Sequence, residues 1–295
     1  MTSPQLLVAD LGTMPYADAL ELQRAVAVAR IAGAVPEDVL LLVEHPPVVT
    51  LGRSTKAQHV ATPAALLAAR GVELYEVERG GDVTFHGPGQ LVGYPVIDLK
   101  RHKRDLHWYL RQVEEALIRG LAEVGVEATR NAGYTGVWVE DCGEEAPTRQ
   151  PASCSLTEHL LLPDEGATSR QQRSQPAGPS PRKLASIGVH ARDWVTWHGF
   201  ALNVTTDLSY FDLIVPCGIR GVTMTSVAAE LRPGACDTRA VRDAIVRGFA
   251  SVFNLEALPV TSEWIAAAAQ RRSQTTIVPQ PSAPASIGGG ASPAP

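Results

Sequence analysis

Cys217 is the residue best suited to nucleophilic chemistry. It lies between a proline and a glycine, in Pro216-Cys217-Gly218-Ile219. The proline restricts φ, and the glycine lets an acyl group approach and leaves backbone N–H groups able to point at a developing oxyanion. The ordinary alternative is a small buried cysteine in a turn. Cys236 is a rival, because it precedes a predicted helix start where the helix dipole lowers a thiol pKa, but the adjacent Asp237 carboxylate opposes that effect.

A nucleophilic cysteine needs a base or a nearby cation, because a free thiol with a pKa of about 8.5 is only a few per cent thiolate at neutral pH. Two kinds of partner are present. Lys183 begins an apolar strand-like run, and three histidines stand at predicted strand ends, namely His86, His190 and His198. A lysine there is commonly a solvated strand end, and a histidine is commonly a surface or satisfied core group. The residues themselves leave a Cys/Lys and a Cys/His pair open.

A glycine-rich stretch, RGGDVTFHGPGQ (79–90), lies between two strand-like runs, 72–77 and 91–98. Glycine costs backbone entropy in a plain strand, so four glycines in twelve residues indicate backbone that turns sharply or lies close to another group. The stretch is either a tight hairpin turn with a bulge or a backbone cradle for a ligand. In the second case Arg79 and His86 are the polar groups at its ends.

Several other active-site motifs are absent from the sequence. No lysine directly follows a glycine, which excludes a Walker P-loop, and the glycines at 87, 89 and 93 miss the G-x-G-x-x-G spacing. No G-x-S-x-G elbow of a serine hydrolase occurs. Cys142, Cys154 and His159 lack a fourth ligand at zinc-finger spacing, so we predict no metal site.

The composition is that of a globular protein. The chain has 295 residues, 45% hydrophobic and 19% charged, which suffices for one large core or two small ones. A formal net charge of -5 does not indicate a nucleic-acid or anionic-membrane surface. The four cysteines are irregularly spaced, residues 1–12 lack a basic n-region, and no apolar run reaches transmembrane length. We therefore expect a cytoplasmic protein with reduced thiols.

Periodicity of the apolar residues predicts the elements that must position these groups. Helical spacing predicts helices at 17–31, at 63–70, and after the capping residues Asp105 and Asp237. Strands are predicted at 39–43, 48–51, 72–79, 91–99, 126–130, 135–140, 183–190 and 198–204, with further apolar segments at 208–214 and 216–225. Since strand pairs follow one another without regular βαβ alternation, we predict an α/β domain with a mixed, largely antiparallel sheet flanked by helices.

Residues 141–182 differ from the rest of the chain. They are rich in Pro, Ser, Gln, Glu and Arg and too polar to form a core, so we predict a mobile insertion within a single domain over residues 1–254. Residues 255–295 are predicted to be a C-terminal extension. Its Ser/Pro/Ala/Gly tail predicts disorder after about residue 272.

Three sequence blocks together resemble the lipoyl(octanoyl) transferases: RGGDVTFHGPGQLVGYPVIDL (79–99), KLASIGVHARDWVTWHGFALNV (183–204) and PCGIRGVTMTSV (216–227). The blocks occur in the family's order, and Glu44-His45-Pro46 with residues 50–53 looks like its upstream block. The resemblance covers most of residues 6–253 except the insertion, which is longer than usual in the family and ends at Lys183. It implies the catalytic-domain fold shared by biotin and lipoate protein ligases.

The resemblance implies a Cys/Lys dyad, in which Cys217 accepts the acyl group and Lys183 lowers its pKa and shuttles protons. It implies substrate contacts at Arg79, Gly80, Gly81, Asp82, Val83, Thr84, Phe85, His86, Ser186, Ile187, Gly188, Gly199, Phe200 and Ala201. Among these, Gly80, Gly81 and Gly199 are candidate walls of an apolar slot, where a side chain would block the acyl tail.

The implied reaction moves an octanoyl group from octanoyl-acyl carrier protein to a lysine, the first step of endogenous lipoate biosynthesis. The implied acceptors are the lipoyl domains of 2-oxoacid dehydrogenases and the glycine cleavage H protein, with no cofactor, metal, nucleic acid or membrane involved. Two other functions stay open. One is an ATP-dependent lipoate or biotin ligase on the same fold, although adenylating ligases need no nucleophile such as Cys217. The other is a non-catalytic protein that binds acyl groups or lipoyl domains without turnover.

Overall fold

Strands and helices both contribute to the fold, which is given by a computed structural model that describes residues 4–140, 181–216 and 221–270. Cys217 and nearly all of the insertion lie outside the described residues. The strands are β1 (Gln5–Thr13), β2 (Asp38–Glu44), β3 (Val48–Leu51), β4 (Glu73–Glu76), β5 (Val83–His86), β6 (Gln90–Val96), β7 (Val137–Val139), β8 (Arg182–Arg192), β9 (Val195–Asn203), β10 (Thr223–Met224) and β11 (Glu256–Val260). The helices are α1 (Tyr16–Ile31), α2 (Ala64–Ala69), α3 (Leu106–Glu123), α4 (Val227–Glu230), α5 (Thr238–Phe253) and α6 (Ser262–Gln270).

The main sheet has eight strands, in the order β10-β8-β9-β6-β2-β1-β11, with β7 also pairing with β8. Four pairs are antiparallel, namely β2–β6, β6–β9, β8–β9 and β7–β8. The pairs β1–β2, β1–β11 and β8–β10 are parallel. The predicted mixed, largely antiparallel sheet flanked by helices is confirmed.

Helices cover both faces of this sheet. One core lies beneath α3 and α5 and contains Val113, Leu117 and Phe249, and the core on the opposite face contains Val26 of α1 and Ile265 of α6. The apolar stripes of α3 and α5 supply these buried side chains because residues three and four apart share one helix face. The predicted caps of these two helices are confirmed: Asp105 accepts a hydrogen bond from Trp108 N (3.0 Å), and Asp237 accepts one from Arg239 N (2.9 Å).

A second sheet of three strands, in the order β4-β3-β5, lies beside the first. The glycine-rich stretch joins the two sheets, because β5 belongs to the small sheet and β6 to the large one. A tight hairpin between the runs 72–77 and 91–98, one of the two interpretations of the stretch, is therefore wrong, because β4 belongs to the small sheet and β6 to the large one. The turn at Gly87-Pro88-Gly89 carries the chain from one sheet to the other, and Gly89 has a positive φ of 77°.

Several segments differ from the predicted elements, and β5 and α4 were not predicted. Residues 126–130 form only an isolated bridge, from Thr129 to Trp138, and Leu208–Leu213 is a 3-10 helix whose first turn is capped by Asp207. β1 was not predicted. β11 and α6 lie in the predicted C-terminal extension, where β11 pairs with β1 and α6 packs against α1. β11 is short and half-exposed at the sheet edge, so its sequence shows little of the alternation of apolar and polar residues that predicts a strand.

Candidate active site

A narrow cavity lies where β5, β6, β8 and β9 meet. Its volume is about 30 Å³, which is room for about two water molecules. Nine of the fourteen predicted substrate contacts line it: Arg79, Thr84, His86, Ser186, Ile187, Gly188, Gly199, Phe200 and Ala201. Tyr16, Val92, Tyr94 and His198 complete the lining. The register of β8 with β9 brings two of the predicted segments together, because Ser186 lies opposite Ala201 and Gly188 opposite Gly199.

Side chains of β5 alternate between the cavity and a different core. Thr84 and His86 face the cavity, whereas Val83 and Phe85 are fully buried in the small core beneath the second sheet. The Phe85 ring stacks on Tyr210, with 4.6 Å between ring centroids. Successive side chains of a strand point to opposite faces, so a continuous run of predicted contacts separates into two sets.

Gly80, Gly81 and Asp82 form the loop before β5. Their backbone is held by Gly52-Arg53-Ser54, with Ser54 N donating to Gly81 O at 3.0 Å, and by β8, with Gly80 N donating to Val189 O at 2.8 Å. The Asp82 carboxylate lies 2.7 Å from His59 Nδ1. The Gly80 bond therefore holds this loop against β8, and the bonds of Gly81 and Asp82 hold it against residues 52–59.

Two glycines of the cavity lining, Gly188 and Gly199, let neighbouring backbone segments pack directly against them. A Cβ atom on Gly188 would lie 2.7 Å from Gly80 O, and one on Gly199 would overlap Gly93 O. Real Cβ atoms do not approach backbone oxygen so closely, so side chains at these positions would push the loop or the neighbouring strand away. The absence of a side chain at Gly199 therefore lets the β6 backbone at Gly93 pack against β9.

The guanidinium of Arg79 is buried and held by neutral acceptors. Its Nη2 donates to Thr50 O at 2.8 Å and to Thr50 Oγ1 at 2.9 Å, and its Nη1 donates to Gly80 O at 3.1 Å. Several donors of one planar group are therefore satisfied together, which fixes the direction of the side chain. Arg79 supplies a fixed positive charge at the cavity wall.

Hydrogen bonds determine the tautomers of two buried histidines next to the cavity. His45 Nδ1 lies 2.7 Å from Met14 O, which can only accept, so this nitrogen carries the proton. His45 Nε2 then accepts from the Tyr94 hydroxyl at 2.7 Å. His86 Nδ1 donates to Gln90 Oε1 at 2.9 Å, since the Gln90 amide nitrogen already donates to Phe85 O and Asn203 Oδ1.

Burial keeps these imidazoles neutral. Desolvation lowers the pKa of His45 to about 4. Desolvation is the main cause that lowers the pKa of His86 to about 3, with smaller contributions from the neighbouring His45 and from the Arg79 guanidinium. The pKa values of His198 and His190 are also lowered, by burial first. All three histidines considered as partners of the cysteine thus lose proton affinity.

Lys183 lies on β8, three residues before Ser186, which corresponds to about 10 Å along a strand. Only 1% of the residue is exposed. Its Nζ lies 5.1 Å from the centroid of the Trp138 ring. β10 pairs with β8 so that Met224 lies opposite Lys183, and Thr225 N donates to Lys183 O at 2.9 Å. The segment a few residues after Cys217 is thereby anchored beside Lys183.

The rival thiol is not activated. Burial, and then the Asp237 carboxylate, raise the pKa of Cys236, which makes a thiolate less accessible. Cys142 and Cys154 lie outside the described residues, as Cys217 does. Nowhere in the described part of the chain do three or more His, Cys, Asp or Glu residues form a group that could hold a metal ion.

Three residues of the site had no local sequence signal. Tyr16 comes from α1 and Val92 and Tyr94 from β6, where they read as ordinary core positions of a helix and a strand. Only the approach of α1 to His86, with 5.9 Å between the ring centroids of Tyr16 and His86, brings Tyr16 to the cavity. His198 was a candidate base and lines the cavity instead.

Comparison with known proteins decides the family. The model of the lipoyl protein ligase A/B catalytic domain matches residues 15–250, which is most of the chain. The chain belongs to this family. The match spans α1 through most of α5, and so includes every cavity residue and Lys183. The membership suggested by the three sequence blocks is confirmed.

Relatives in the lipoyl protein ligase A/B family include bacterial octanoyltransferases. The octanoyltransferase of Gloeobacter violaceus is 40% identical over 253 residues, covering 86% of this chain and 92% of the relative. That of Geobacter metallireducens is 45% identical over 226 residues, covering 77% and 84%. A bipartite lipoate protein ligase from Thermoplasma acidophilum, analysed with its E2 lipoyl domain, superposes with a TM-score of 0.61 at 17% identity and covers 91% of each chain. This structural likeness confirms the lipoate-ligase type of fold.

Proposed function

We propose that this protein is an octanoyltransferase of protein lipoylation, in which Cys217 carries the octanoyl group as a thioester and Lys183 is its partner. Relatives of the same name at 40% and 45% identity support the transfer of octanoyl groups. The observation that supports the dyad is the placement of Lys183. It is buried on β8 and paired with the segment that follows Cys217.

The choice of lysine over histidine rests on protonation. A thiolate needs a nearby cation, and the histidines that could supply one have lowered pKa values. A neutral imidazole with a pKa of about 3, as in His86, is also a weak base at pH 7. The alternative of a Cys/His pair, left open by the residues themselves, therefore loses its support.

The first half of the proposed reaction forms the acyl-enzyme. The Cys217 thiolate attacks the carbonyl carbon of the octanoyl thioester on the acyl carrier protein, and backbone N–H groups near Cys217 stabilise the oxyanion. The carbon–sulfur bond to the carrier breaks, the carrier thiolate leaves, and it takes the proton from the Lys183 ammonium. The carrier thiol, an octanoyl-Cys217 thioester and a neutral Lys183 amine remain.

In the second half, the ε-amine of a lysine on a lipoyl domain attacks the octanoyl-Cys217 carbonyl. Lys183, now neutral, removes a proton from that amine, the amide forms, and the Cys217 thiolate leaves. The enzyme returns to its starting state with an ammonium and a thiolate. A thioester is already activated, so the transfer to an amide needs no ATP, which agrees with the absence of a P-loop in the sequence.

The cavity is the proposed slot for the octanoyl tail. Each buried methylene contributes about 0.8 kcal/mol, so burying the tail supplies several kcal/mol and measures chain length. A volume of about 30 Å³ is too small for an eight-carbon chain. The proposal therefore requires side chains of the lining to move when the chain enters.

Lipoyl domains are the proposed acceptors, and the acyl carrier protein is the proposed donor. The Thermoplasma acidophilum ligase of similar fold was studied with its E2 lipoyl domain, which supports a lipoyl domain as partner. A cytoplasmic location is part of the same proposal and rests on the irregular spacing of the four cysteines, which indicates reduced thiols. Among residues 4–140, 181–216 and 221–270, no helix has the length and apolar composition needed to cross a membrane.

The decisive experiment measures the intact mass of the protein after mixing with octanoyl-acyl carrier protein. We expect one octanoyl adduct that hydroxylamine removes, absent from Cys217→Ala and retained by the matched control Cys236→Ser. An adduct that persists in Cys217→Ala would overturn the assignment. Transfer that proceeds only with ATP and free acid would instead identify a ligase, and binding without any adduct would identify a non-catalytic protein.

A further inference from the structure

Two residues of one short segment flank the Lys183 side chain. Trp138 of β7 lies opposite Lys183 in the antiparallel pairing with β8. Gly136 immediately precedes β7, and a Cβ atom on it would lie 2.9 Å from Lys183 Cε and 3.4 Å from Lys183 Nζ. We call Gly136 and Trp138 the lysine socket.

The Trp138 side of the socket suits a cation. The Lys183 Nζ is 5.1 Å from the centroid of the indole ring, within the range of a cation–π interaction. Both residues are almost completely buried, so the attraction acts with little screening by water. Trp138 Nε1 has no hydrogen-bond partner among the described residues. The ring therefore acts here through its face and its packing.

Two separate features of the structure require a glycine at position 136. Its φ is 137°, a backbone conformation that side chains rarely permit. A Cβ atom would also lie 2.6 Å from Ala185 O, a backbone atom that cannot move away cheaply. A methyl group at this position would therefore displace β7 from β8 and move the Lys183 ammonium.

A buried carboxylate on α3 holds Gly136 in place. Glu114 has no exposed surface, and its Oε1 accepts the Gly136 N–H at 3.1 Å. Its Oε2 accepts from Arg111 Nη1 at 2.6 Å and from Arg130 Nε at 3.2 Å. Two arginines thus fix the carboxylate, and the carboxylate fixes the backbone that touches Lys183. A buried carboxylate is costly unless it is satisfied in this way.

We propose that Gly136, Trp138 and Glu114 are positioning residues of the transfer reaction: Gly136 and Trp138 hold the Lys183 side chain, and Glu114 keeps them in place. This inference rests on the proposed role of Lys183. Gly136 and Trp138 contact Lys183, and Glu114 contacts Gly136, so all three act by limiting where the ammonium can lie. A misplacement of about 1 Å in such a group costs about 100-fold in rate.

The test compares two glycine-to-alanine variants. Gly133 lies in the same loop with a φ of 83°, and a Cβ atom on it would have no neighbour within 4 Å, so Gly133→Ala meets the same kind of backbone strain without touching Lys183. We expect Gly136→Ala to lower kcat about 10- to 100-fold with the KM for octanoyl-acyl carrier protein changed less than about threefold. Gly133→Ala should keep kcat within about threefold, and thermal unfolding should show both variants folded.

A second pair of variants tests the ring. Trp138→Phe keeps an aromatic face and removes no hydrogen bond, whereas Trp138→Leu removes the face. We expect Trp138→Phe to restore most of the kcat that Trp138→Leu loses, the latter being about tenfold below the native enzyme. Equal losses in both variants would overturn the cation–π part of the inference.

Glu114→Ala should lower kcat in the same way as Gly136→Ala, and the double variant should lose little more than either single variant, because the two changes displace one group. Additive losses would overturn the role of Glu114.

Lys183→Ala distinguishes a failure of the lysine socket from a failure of the proposed function. If Lys183→Ala is inactive while Gly136→Ala matches Gly133→Ala, the lysine socket is overturned and the proposed function stands. If Lys183→Ala retains native activity, the dyad itself falls and the inference falls with it. Inactive Lys183→Ala together with a selective loss in Gly136→Ala supports both.

Discussion

At the start of β8, Lys183 is buried against an aromatic ring and a glycine backbone, and the ring face lies within reach of its ammonium. A few residues farther along, Ser186 to Gly188 face a cavity lined by His86 and His198, with His45 behind it bonded to the lining residue Tyr94, and burial lowers the pKa values of all three histidines. Both regions are polar and both are buried. They differ in what surrounds the side-chain nitrogen atoms: an aromatic ring face lies near the Lys183 ammonium, and hydrogen-bonding groups surround the histidine rings.

The difference divides the work between the two regions. The face of an indole ring attracts a cation, whereas the His45 and His86 nitrogens are occupied by a carbonyl, a hydroxyl and an amide that are satisfied by a neutral ring. The proposed function therefore assigns proton transfer to the lysine. His86 adds a polar, uncharged group to the cavity wall, and an uncharged acyl chain in the proposed slot would lie against it at lower cost than against a charged group.

Loss of the lysine is the largest effect expected from this comparison. Lys183→Ala should lower kcat about 10²- to 10⁴-fold, because a positioned acid–base group is removed. Lys183→Arg keeps a cation that does not release its proton, so it should form the acyl-enzyme faster than Lys183→Ala and still transfer the group slowly to the acceptor. Single-turnover measurements of the two half-reactions check this. Native rates in Lys183→Ala would erase the distinction between the two regions.

The neutral histidines predict a stability change between pH 7 and pH 5. His45 and His86 have folded pKa values of about 4 and about 3, below the value of about 6.5 in the unfolded chain. The unfolded state therefore binds more protons as the pH falls below 6.5, and stability is lost in that direction, by about 2 kcal/mol per histidine at pH 5. Urea unfolding at the two pH values measures the loss.

His86→Gln should reduce that loss by about 2 kcal/mol, since glutamine does not titrate. The comparison is made between the pH dependences of the two proteins, so a constant change in stability caused by the substitution cancels. An unchanged loss in the variant would mean that His86 is not held neutral by its surroundings.

The smallest effect is expected for His86→Gln on the rate of transfer. Because His86 is neutral at working pH, the variant should keep kcat within about tenfold and keep the shape of the pH–rate profile above pH 5, with a larger rise in donor KM. Steady-state kinetics between pH 5 and pH 9 check this. Disappearance of one limb of the profile would make His86 the acid–base group and reverse the comparison.

Much of the fold followed from periodicity and capping. The α3 and α5 helices begin at Asp105 and Asp237 as predicted, because an N-cap carboxylate and an apolar stripe are both local signals. The strands β2, β3, β8 and β9 were predicted to within a few residues. β1 and β11 were not, and the edge strand β11 gains its strand character from pairing with β1.

The candidate site was predictable in outline and not in detail. The blocks around 79–90 and 183–204 were identified by their residues, and the structure brings parts of both to one cavity. The blocks could not show that Val83 and Phe85 turn away from it, nor that Tyr16 and Tyr94 come to it. Side-chain direction depends on the pairing partner of each strand, and α1 reaches the cavity only through packing against β6 and β9.

The sequence by itself determined the class of fold, the family and the candidate residues for chemistry, because spacing, capping and block order can all be read along the chain. Only the tertiary structure decided which of those residues meet and in which protonation state. Burial of His45 and His86 comes from α1, β3 and β6 together, and the surroundings of Lys183 come from β7 and β10. Desolvation and close contact arise between residues far apart in the chain, so they appear only once the chain has folded.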